Sequence, residues 1–445
     1  MKNCYWQPTP IEPNRKKPDH EHYDALIIGG GYAGLSSARF LKEAQPSLKV
    51  AVLEKDYVGF GASGRNGGFA MTLLGLNHSQ LLRDAGLENA RAAHAWAKKA
   101  VDYVRQTVTD KNIDCEMVDK GFMGIGLNSL HIKKLRHEVE VLQQLGTTEA
   151  KFLDRGEMAR ILPDSMDQVE GGLWEPHCVV LNPYKLARGL KDLTEAMGAE
   201  VCEGQGVSGY RKLSAGGYQV TLESGQTLTC SKLILATNAY SYRFNVFKSG
   251  LVPIYTYIVA TEPLSPKQWE QIGWDDRQGI ESVFRMVHYM RPTKDGRILL
   301  GGKDANYYFG HKTHDRYDEN QKLFGALQQD LVKFFPSLKG IRFTHGWGGP
   351  VGSTLNFFPT MGREGDLIWA LGCCGHGVSL FNYLGSIVSD LFFEKKTENT
   401  ELFFVNKKPW ALLPPEPAKF IGCGAYKESL KLLDRFDEIR TGKPF

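Results

Sequence analysis

The chain has 445 residues, 42% of them hydrophobic, and its 54 basic and 50 acidic side chains leave a formal charge of +4. That length buries a core large enough for two interlocked domains. The near balance of charge, with basic residues scattered rather than gathered into a stripe, argues against nucleic acid as a partner.

The opening stretch, 1–22, is polar, Pro-rich and interrupted by Arg15, Lys16 and Lys17. It lacks the apolar run of a signal peptide and reads as a surface arm. From Asp24 an apolar run, Ala25 to Ile28, leads into Gly29, Gly30 and Gly31, then into a helical pattern carried by Leu35, Ala38, Phe40 and Leu41. Val50 to Leu53 make a second apolar run that ends at Glu54. Strand, helix and strand in this order form the core of a parallel sheet, so the expected class is α/β. Leu81 to about Lys111 has amphipathic helical spacing, as do His131 to Leu145 and Lys185 to Met197. Val201, Val207, 218–222 and 227–236 read as successive strands.

A second excursion starts near Leu251. Pro253 to Thr261 is alternating and β-branched, and 284–302 holds two strands around the turn Lys294, Asp295, Gly296. These strands belong to another, mixed sheet. Leu367 to Leu371 returns as strand, a helix runs from about Gly377 to Phe393, and an amphipathic helix covers Lys427 to Ile439. No window supplies the roughly 18 uninterrupted apolar residues of a membrane span, so none is expected. The eight cysteines show neither zinc-site spacing nor a dense disulfide framework, which suits a reducing, cytoplasmic setting and no metal. Adjacent Cys373 and Cys374 read either as a redox pair or as two buried thiols beside a helix start. The implied division is an arm at 1–22, a discontinuous Rossmann-like nucleotide-binding domain at 23–80, 170–250 and 345–398, an α+β substrate domain at 81–169 and 251–344, and a C-terminal extension at 399–445.

Gly29, Gly31 and Gly34 fall where a dinucleotide site needs them, after a strand and at a helix start, with Glu54 at the next strand end. Gly29 permits the tight turn, Gly31 lets backbone approach a pyrophosphate, and Gly34 lets helix and strand pack closely. The helix N-terminus, with Ala33 in its first turn, receives the anion. Glu54 is placed to accept hydrogen bonds from ribose hydroxyls, with Lys55 beside it; alternatively Glu54 is a solvated turn carboxylate. NAD and FAD share this fingerprint. The run Gly61, Ala62, Ser63, Gly64, Arg65, Asn66, Gly67, Gly68 favours a flavin, because such a loop can lie flat against a large ring and offer amides to phosphate; taken alone, it also reads as a flexible connector. Ser63 and Arg65 add polar partners.

Together with 235–240 (Leu-Ala-Thr-Asn-Ala-Tyr), Gly346-Trp347-Gly348-Gly349 and Gly375-His376-Gly377-Val378, these motifs resemble those of the D-amino-acid oxidase-like FAD oxidoreductases, in their order. The resemblance covers roughly 24–393 and is nearest to the gamma-glutamylputrescine oxidoreductase branch. It implies a substrate sheet roofing the flavin, Val207 contacting adenine through its backbone, and Ala236 and Thr237 passing near the dinucleotide. Asn238 stands where many relatives have glycine, and Asn tolerates the left-handed turn. The amides of 375–378 are implied at the flavin pyrimidine edge, where helix-end potential stabilises the reduced ring; His376 either joins them or hydrogen-bonds within its turn.

The resemblance also has departures. Amino-acid-oxidising relatives carry an arginine near the position of Trp347, where this chain reads His345, Gly346, Trp347. Arg291 is the replacement candidate for gripping a carboxylate, or else an edge-strand surface charge. Relatives that bond FAD covalently use Cys or His where Trp347 and Arg65 stand, so FAD is expected to be non-covalent. Tyr255, Tyr257, Tyr289, Trp347, Phe357 and Phe358 either cage a substrate ammonium or fill ordinary core. Tyr255, Arg291, His345 and Trp347 are the substrate-pocket candidates.

The implied reaction is oxidation of a carbon–nitrogen bond in a small amine, polyamine-like or acylated polyamine, by hydride transfer to flavin N5. The imine then hydrolyses, and oxygen as acceptor gives peroxide. A secondary amino acid of sarcosine or iminodiacetate type is the alternative substrate. A structural flavoprotein or electron-relay subunit is the alternative of another class.

Overall fold

A computed structural model describes residues 4–8, 11–409 and 413–445. Two large sheets organise it. The first runs in the order Thr360–Glu364, Leu367–Leu371, Thr227–Leu235, His22–Ile28, Val50–Leu53, Glu200–Cys202. All neighbours in it are parallel except the edge strand Thr360–Glu364. Its central strands are apolar almost throughout, because both faces are covered, as parallel sheets require. Val207–Lys212 and Tyr218–Leu222 add antiparallel to Thr227–Leu235.

The second sheet has nine strands in the order Asn306–Tyr307, Leu251–Thr261, Ile298–Gly302, His288–Pro292, Gly279–Ser282, Phe122–Gly126, Gly171–Glu175, Lys151–Leu153. Phe343–Thr354 pairs the free side of Leu251–Thr261, from Leu251 opposite Thr354 to Thr261 opposite Phe343. One face packs under the helix Gln321–Phe334 through Tyr255, Tyr257, Val259, Phe324 and Leu331. The other face meets the loops of the first sheet. Gly171–Glu175 and Phe343–Thr354 belong to this second sheet, although 170–250 and 345–398 were expected with the nucleotide-binding one. Each is held there by long antiparallel pairing, with Phe122–Gly126 and Leu251–Thr261.

Two helices expected as continuous are broken for identifiable reasons. The stretch beginning near Leu81 forms His78–Ala85 and Leu87–Asp110, separated by Gly86 at φ +75°, a left-handed stop that glycine adopts without strain. The stretch from Gly377 forms Gly377–Tyr383 and Gly385–Phe392. There the Ser36 hydroxyl donates to the Asn382 carbonyl at 2.7 Å and accepts from Gly385 N–H at 3.0 Å, inserting a side chain into the helical ladder.

The N-terminal segment is a mostly exposed arm over 11–22, as expected, but its first described residues are not on the surface. Cys4 and Trp6 are buried with Ile258, Ala260, Leu299 and Trp347; residues 1–3 and 9–10 of the expected arm lie outside the described residues. The last helix, Ala418–Thr441, is longer than its pattern suggested and inverted in polarity. It docks through Asp434 to Arg285 and Lys431 to Asp304, and turns Phe436 and Ile439 outward. All eight cysteines are free thiols. Among the described residues no helix is long and apolar enough to cross a membrane.

Candidate active site

The first helix, Tyr32–Ala44, starts directly from the glycine turn, with Gly31 as its N-cap. Gly29 has φ +110°, and a Cβ there would stand 2.6 Å from the Ala236 carbonyl oxygen, so only glycine brings the turn this close to the neighbouring strand. A Cβ on Gly34 would collide with the Gly29 carbonyl, the close helix-to-strand packing its spacing implied. A Cβ on Gly31 would lie 2.8 Å from Ser63 Oγ, and that hydroxyl accepts a hydrogen bond from Tyr32 N–H at 3.0 Å. Ser63 is therefore at the helix N-terminus, where the orphan amides and the positive helix end make an anion site. Ala33 is buried in the first helical turn.

Glu54 lies behind the same turn. Its Oε2 accepts from Gly30 N–H at 2.8 Å and its Oε1 from Asp56 N–H at 3.0 Å. Burial pushes its carboxyl up to about 7, against those two amides. Lys55 points elsewhere and pairs with Glu223 at 2.7 Å on the surface. Val207 opens the strand beside this corner, where Gln205 N–H donates to the Glu54 carbonyl at 2.8 Å. Ala236 N–H donates to Ile28 O at 2.9 Å, and Thr237 is linked to Ser241 at 2.8 Å.

The glycine-rich run at 61–68 folds as one helical turn, Ala62–Arg65, followed by an extended Asn66. Asn66 stabilises the reversal: its Nδ2 donates to the Ala62 carbonyl at 2.9 Å and its Oδ1 accepts from Gly68 N–H at 2.7 Å. Gly68, at φ +80°, leaves no room for a Cβ against the Leu181 carbonyl, and a Cβ on Gly67 would lie 3.1 Å from the Phe69 and Tyr289 rings. Arg65 pairs with Asp318 at 2.5 Å. Burial opposes its charge, but Tyr240 and Asp318 outweigh that and raise its pKa. Its Nε is buried without a partner among the described residues.

On the far side, Asn238 adopts φ +41° and its Oδ1 accepts from Gly372 and Cys373 N–H at 3.1 and 3.2 Å, holding the 372–378 turn. Cys373 sits against Asn238 Nδ2 at 3.3 Å, a packed thiol, one of the two expected readings. Gly375 has φ +92° with no atom within 4 Å of a built Cβ. His376 caps the helix that begins at Gly377; its Nδ1 is buried with no partner, and burial holds the ring down to about 4. Val378 is buried beneath the turn. A glycine facing open space, a neutral histidine with an orphaned ring nitrogen, and an orphaned Arg65 Nε around a ready anion site are what a large polar cofactor would fill and satisfy. FAD fits these residues.

Strand alternation decides which candidates face this cradle. Trp347 lies opposite Ile258 and so shares its face. Its Nε1 donates to the Arg65 carbonyl at 2.8 Å. Tyr255 lies on the opposite face, against Tyr308 and Tyr317 at ring separations of 5.2 and 5.9 Å. It is not in the roof over the cradle, and neither is Tyr257 two residues on. Phe358 packs in the main core against Phe403. His345 shares Trp347's face but is covered by Tyr5, 5.5 Å away.

Arg291 is no surface charge: it is 1% exposed. Its Nη1 donates to the Leu181 carbonyl at 2.5 Å and its Nε to that of Pro292 at 3.1 Å. Burial lowers it to about 10, and no ion pair is formed with it among the described residues. Its guanidinium lies 5.4 Å from the Trp6 ring, and Trp6 Nε1 donates to the Asn66 carbonyl at 2.8 Å. Cys4 to Gln7 are thus a wall of the site that sequence reasoning placed on the surface; the aromatic pair Tyr5-Trp6 in a polar stretch was the available signal. Among the described residues no cluster of His, Cys, Asp or Glu side chains is placed to hold a metal.

The DAO family model, described as FAD dependent oxidoreductase, matches residues 24–391. A probable oxidoreductase OrdL of Haemophilus influenzae is 27% identical over 378 residues, 83% of each chain. The gamma-glutamylputrescine oxidoreductase of Escherichia coli is 27% identical over 372 residues, again 83% of each. The structure of glycine oxidase from Geobacillus kaustophilus superposes with a TM-score of 0.70 at 20% identity, over 85% of this chain and 96% of that one, which shows a shared fold. With the family model spanning the cradle and the roof alike, the chain belongs to the DAO family and is an FAD-dependent oxidoreductase.

Proposed function

We propose that the protein oxidises a carbon–nitrogen bond in a small amine, polyamine-like or acylated polyamine, releasing an imine that hydrolyses to an aldehyde. The observation that carries this reading is the position of Tyr289 and Trp347. Trp347 is bonded to the Arg65 carbonyl, and the Tyr289 ring lies 3.1 Å from a Cβ built on Gly67. Two aromatic rings thus border the run 65–68, and aromatic side chains attract amines through their quadrupoles. The similarity to gamma-glutamylputrescine oxidoreductase supports the same class.

The cofactor assignments follow from the cradle. Gly29, Gly31, Ala33, Gly34 and Ser63 would hold the pyrophosphate, Glu54 the ribose, and Val207 the adenine. The 65–68 run, Ala236 with Thr237, and Gly375 to Val378 would line the rest. FAD, when bound, supplies the hydride acceptor. The chain's part is positional: the roof holds the donor carbon at reacting distance and excludes water. The reacting nitrogen must be neutral to release hydride from its neighbouring carbon, so flavin reduction has a basic limb in its pH profile. Oxygen or another acceptor then closes the cycle, and the eight free thiols suit a reducing, cytoplasmic setting.

Anaerobic mixing with polyamines, acylated polyamines and N-alkyl amino acids tests the reading. A bleached flavin absorbance is expected with at least one amine, and a flavin that stays oxidised with all of them points to a structural or relay role. A secondary amino acid remains the second reading because of Arg291, a buried cation that bonds to backbone carbonyls and forms no ion pair among the described residues. Arg291→Met separates the two: KM rises at least ~10-fold for a carboxylate substrate, the loss of one charge-assisted contact, and stays unchanged for a simple amine.

A further inference from the structure

The roof carries one ionisable group that neither the fold nor the reaction above uses. Glu281 lies on the strand Gly279–Ser282, opposite Tyr289 on one side and Gly124 on the other. Directly opposed residues of antiparallel strands share a face, as do residues two apart on one strand. Glu281 therefore points to the same side as Tyr289, Arg291 and Gly279. All three of these meet the flavin loop. A Cβ on Gly279 would collide with the Phe69 ring, the Tyr289 ring approaches Gly67, and Arg291 Nη1 is 2.7 Å from a Cβ built on Gly68. The carboxyl of Glu281 stands among them, close enough to Tyr289 and Cys178 for its charge to raise both.

It accepts no hydrogen bond and joins no ion pair among the described residues, and its side chain is only partly covered. Loss of solvent, with no compensating donor, raises it to about 7. Arg291, on the same face, is turned toward the carbonyls of Leu181 and Pro292. A partly covered carboxylate with no protein partner is open to a cationic ligand that completes it.

We propose that Glu281 is the subsite for a second, cationic nitrogen of the substrate, which makes the substrate class a diamine or polyamine derivative rather than a monoamine. The choice of the non-reacting nitrogen follows from charge. An adjacent carboxylate stabilises the protonated form of any amine it touches, whereas hydride departure requires a free lone pair on the reacting nitrogen. One carboxylate cannot favour both. The nitrogen held by Glu281 is therefore kept as ammonium, while the other is presented neutral beneath Tyr289 and Trp347. This inference rests on the amine-oxidation reading above and names the substrate class within it.

The test compares 1,4-diaminobutane and spermidine with butylamine on the FAD-loaded protein and on Glu281→Gln, a near-isosteric change. Binding is read from the shift in flavin absorbance, and turnover separately from anaerobic bleaching. The expected result is at least ~10-fold tighter binding of the diamines by the parent protein, the size of one charge-assisted contact. Glu281→Gln should lose that preference while its FAD content stays unchanged, and Glu281→Asp should recover part of it. Equal binding of diamine and monoamine by the parent protein, or an unchanged preference in Glu281→Gln, overturns the assignment. A diamine preference that depends on Glu281 without any bleaching would uphold the subsite and overturn the oxidation reading instead.

Discussion

The nucleotide cradle and the substrate roof meet at residues 65–69, yet they are specified in different ways. The cradle is made of backbone. Its glycines are required because carbonyls stand where Cβ atoms would go, as at Gly29 against Ala236 and Gly34 against Gly29. The roof is made of side chains that converge from four strands, Gly279–Ser282, His288–Pro292, Leu251–Thr261 and Phe343–Thr354. A backbone site is intolerant of any added atom, and its few polar side chains, such as Glu54, tune it rather than build it. A side-chain site is the reverse: it keeps its shape under conservative exchange and changes what it accepts.

The largest effect should come from breaking the cradle. Gly34→Val forces the first helix away from the Gly29 carbonyl, an overpacking of backbone against backbone that costs more than about 4 kcal/mol. The purified variant should be colourless and fail to take up FAD. Retention of a normal flavin spectrum would mean that helix and strand have more freedom than their contact implies.

Trp6→Ala comes next, because Trp6 belongs to the roof by packing and to the cradle by its hydrogen bond to the Asn66 carbonyl. Removing a buried tryptophan costs about 3 kcal/mol, read as a lower unfolding temperature, and FAD dissociation should quicken because the 65–68 run loses a support. Trp6→Phe, which keeps most of the volume but not the N–H, should lose about 1 kcal/mol. If Trp6→Ala melts like the parent, the N-terminal segment does not close the site in solution.

The contrast between the two regions also accounts for what could be read from the sequence. Glycine spacing encodes the cradle locally, so the tight turn at Gly29, the close packing at Gly34 and the left-handed Asn238 were legible. The roof depends on register, and register is set by pairing between distant strands. Nothing local says that Trp347 lies opposite Ile258 rather than Tyr257, yet that one step sends Tyr255 and Tyr257 to the far face. Glu281 was missed because its four-residue strand lies outside any motif; alternation in Gly-Ile-Glu-Ser with an inward carboxylate was its only mark. The break at Leu384 was hidden for a related reason: Ser36, which causes it, is almost 350 residues away in sequence.

Glu54 gives a smaller and pH-dependent effect. Its carboxyl is raised to about 7 in the folded protein, from 4.5, by burial. A raised acid favours the neutral form, so its contribution to stability without FAD is present below about 4.5 and is lost as pH rises toward 7. Ribose hydroxyls donate to the ionised form, so FAD uptake should release a proton, and affinity should rise by up to about tenfold per pH unit from 5 to 7. Glu54→Gln should weaken FAD by about tenfold at neutral pH, one charge-assisted hydrogen bond, and flatten that dependence. Titration of FAD by fluorescence quenching at several pH values measures both, and a flat profile in the parent protein would remove Glu54 from the ribose site.

The smallest expected effect sharpens the roof most. Tyr255 donates to the His314 carbonyl at 3.4 Å on the face turned away from the cradle, among Tyr308, Tyr317 and Phe324. Tyr255→Phe removes a long hydrogen bond and keeps the ring, so stability should fall by no more than about 1 kcal/mol and kcat/KM should stay within about twofold, since no contact to a reacting group is lost. Tyr289 occupies the equivalent aromatic role on the near face, and its hydroxyl is the one whose removal should register in kcat/KM. A tenfold loss of kcat/KM in Tyr255→Phe with full FAD content would require its ring to reach the substrate. Because side chains alternate along the strand, Trp347 and Ile258 would then have to leave the cradle, and the hydrogen bond from Trp347 to the Arg65 carbonyl could not form.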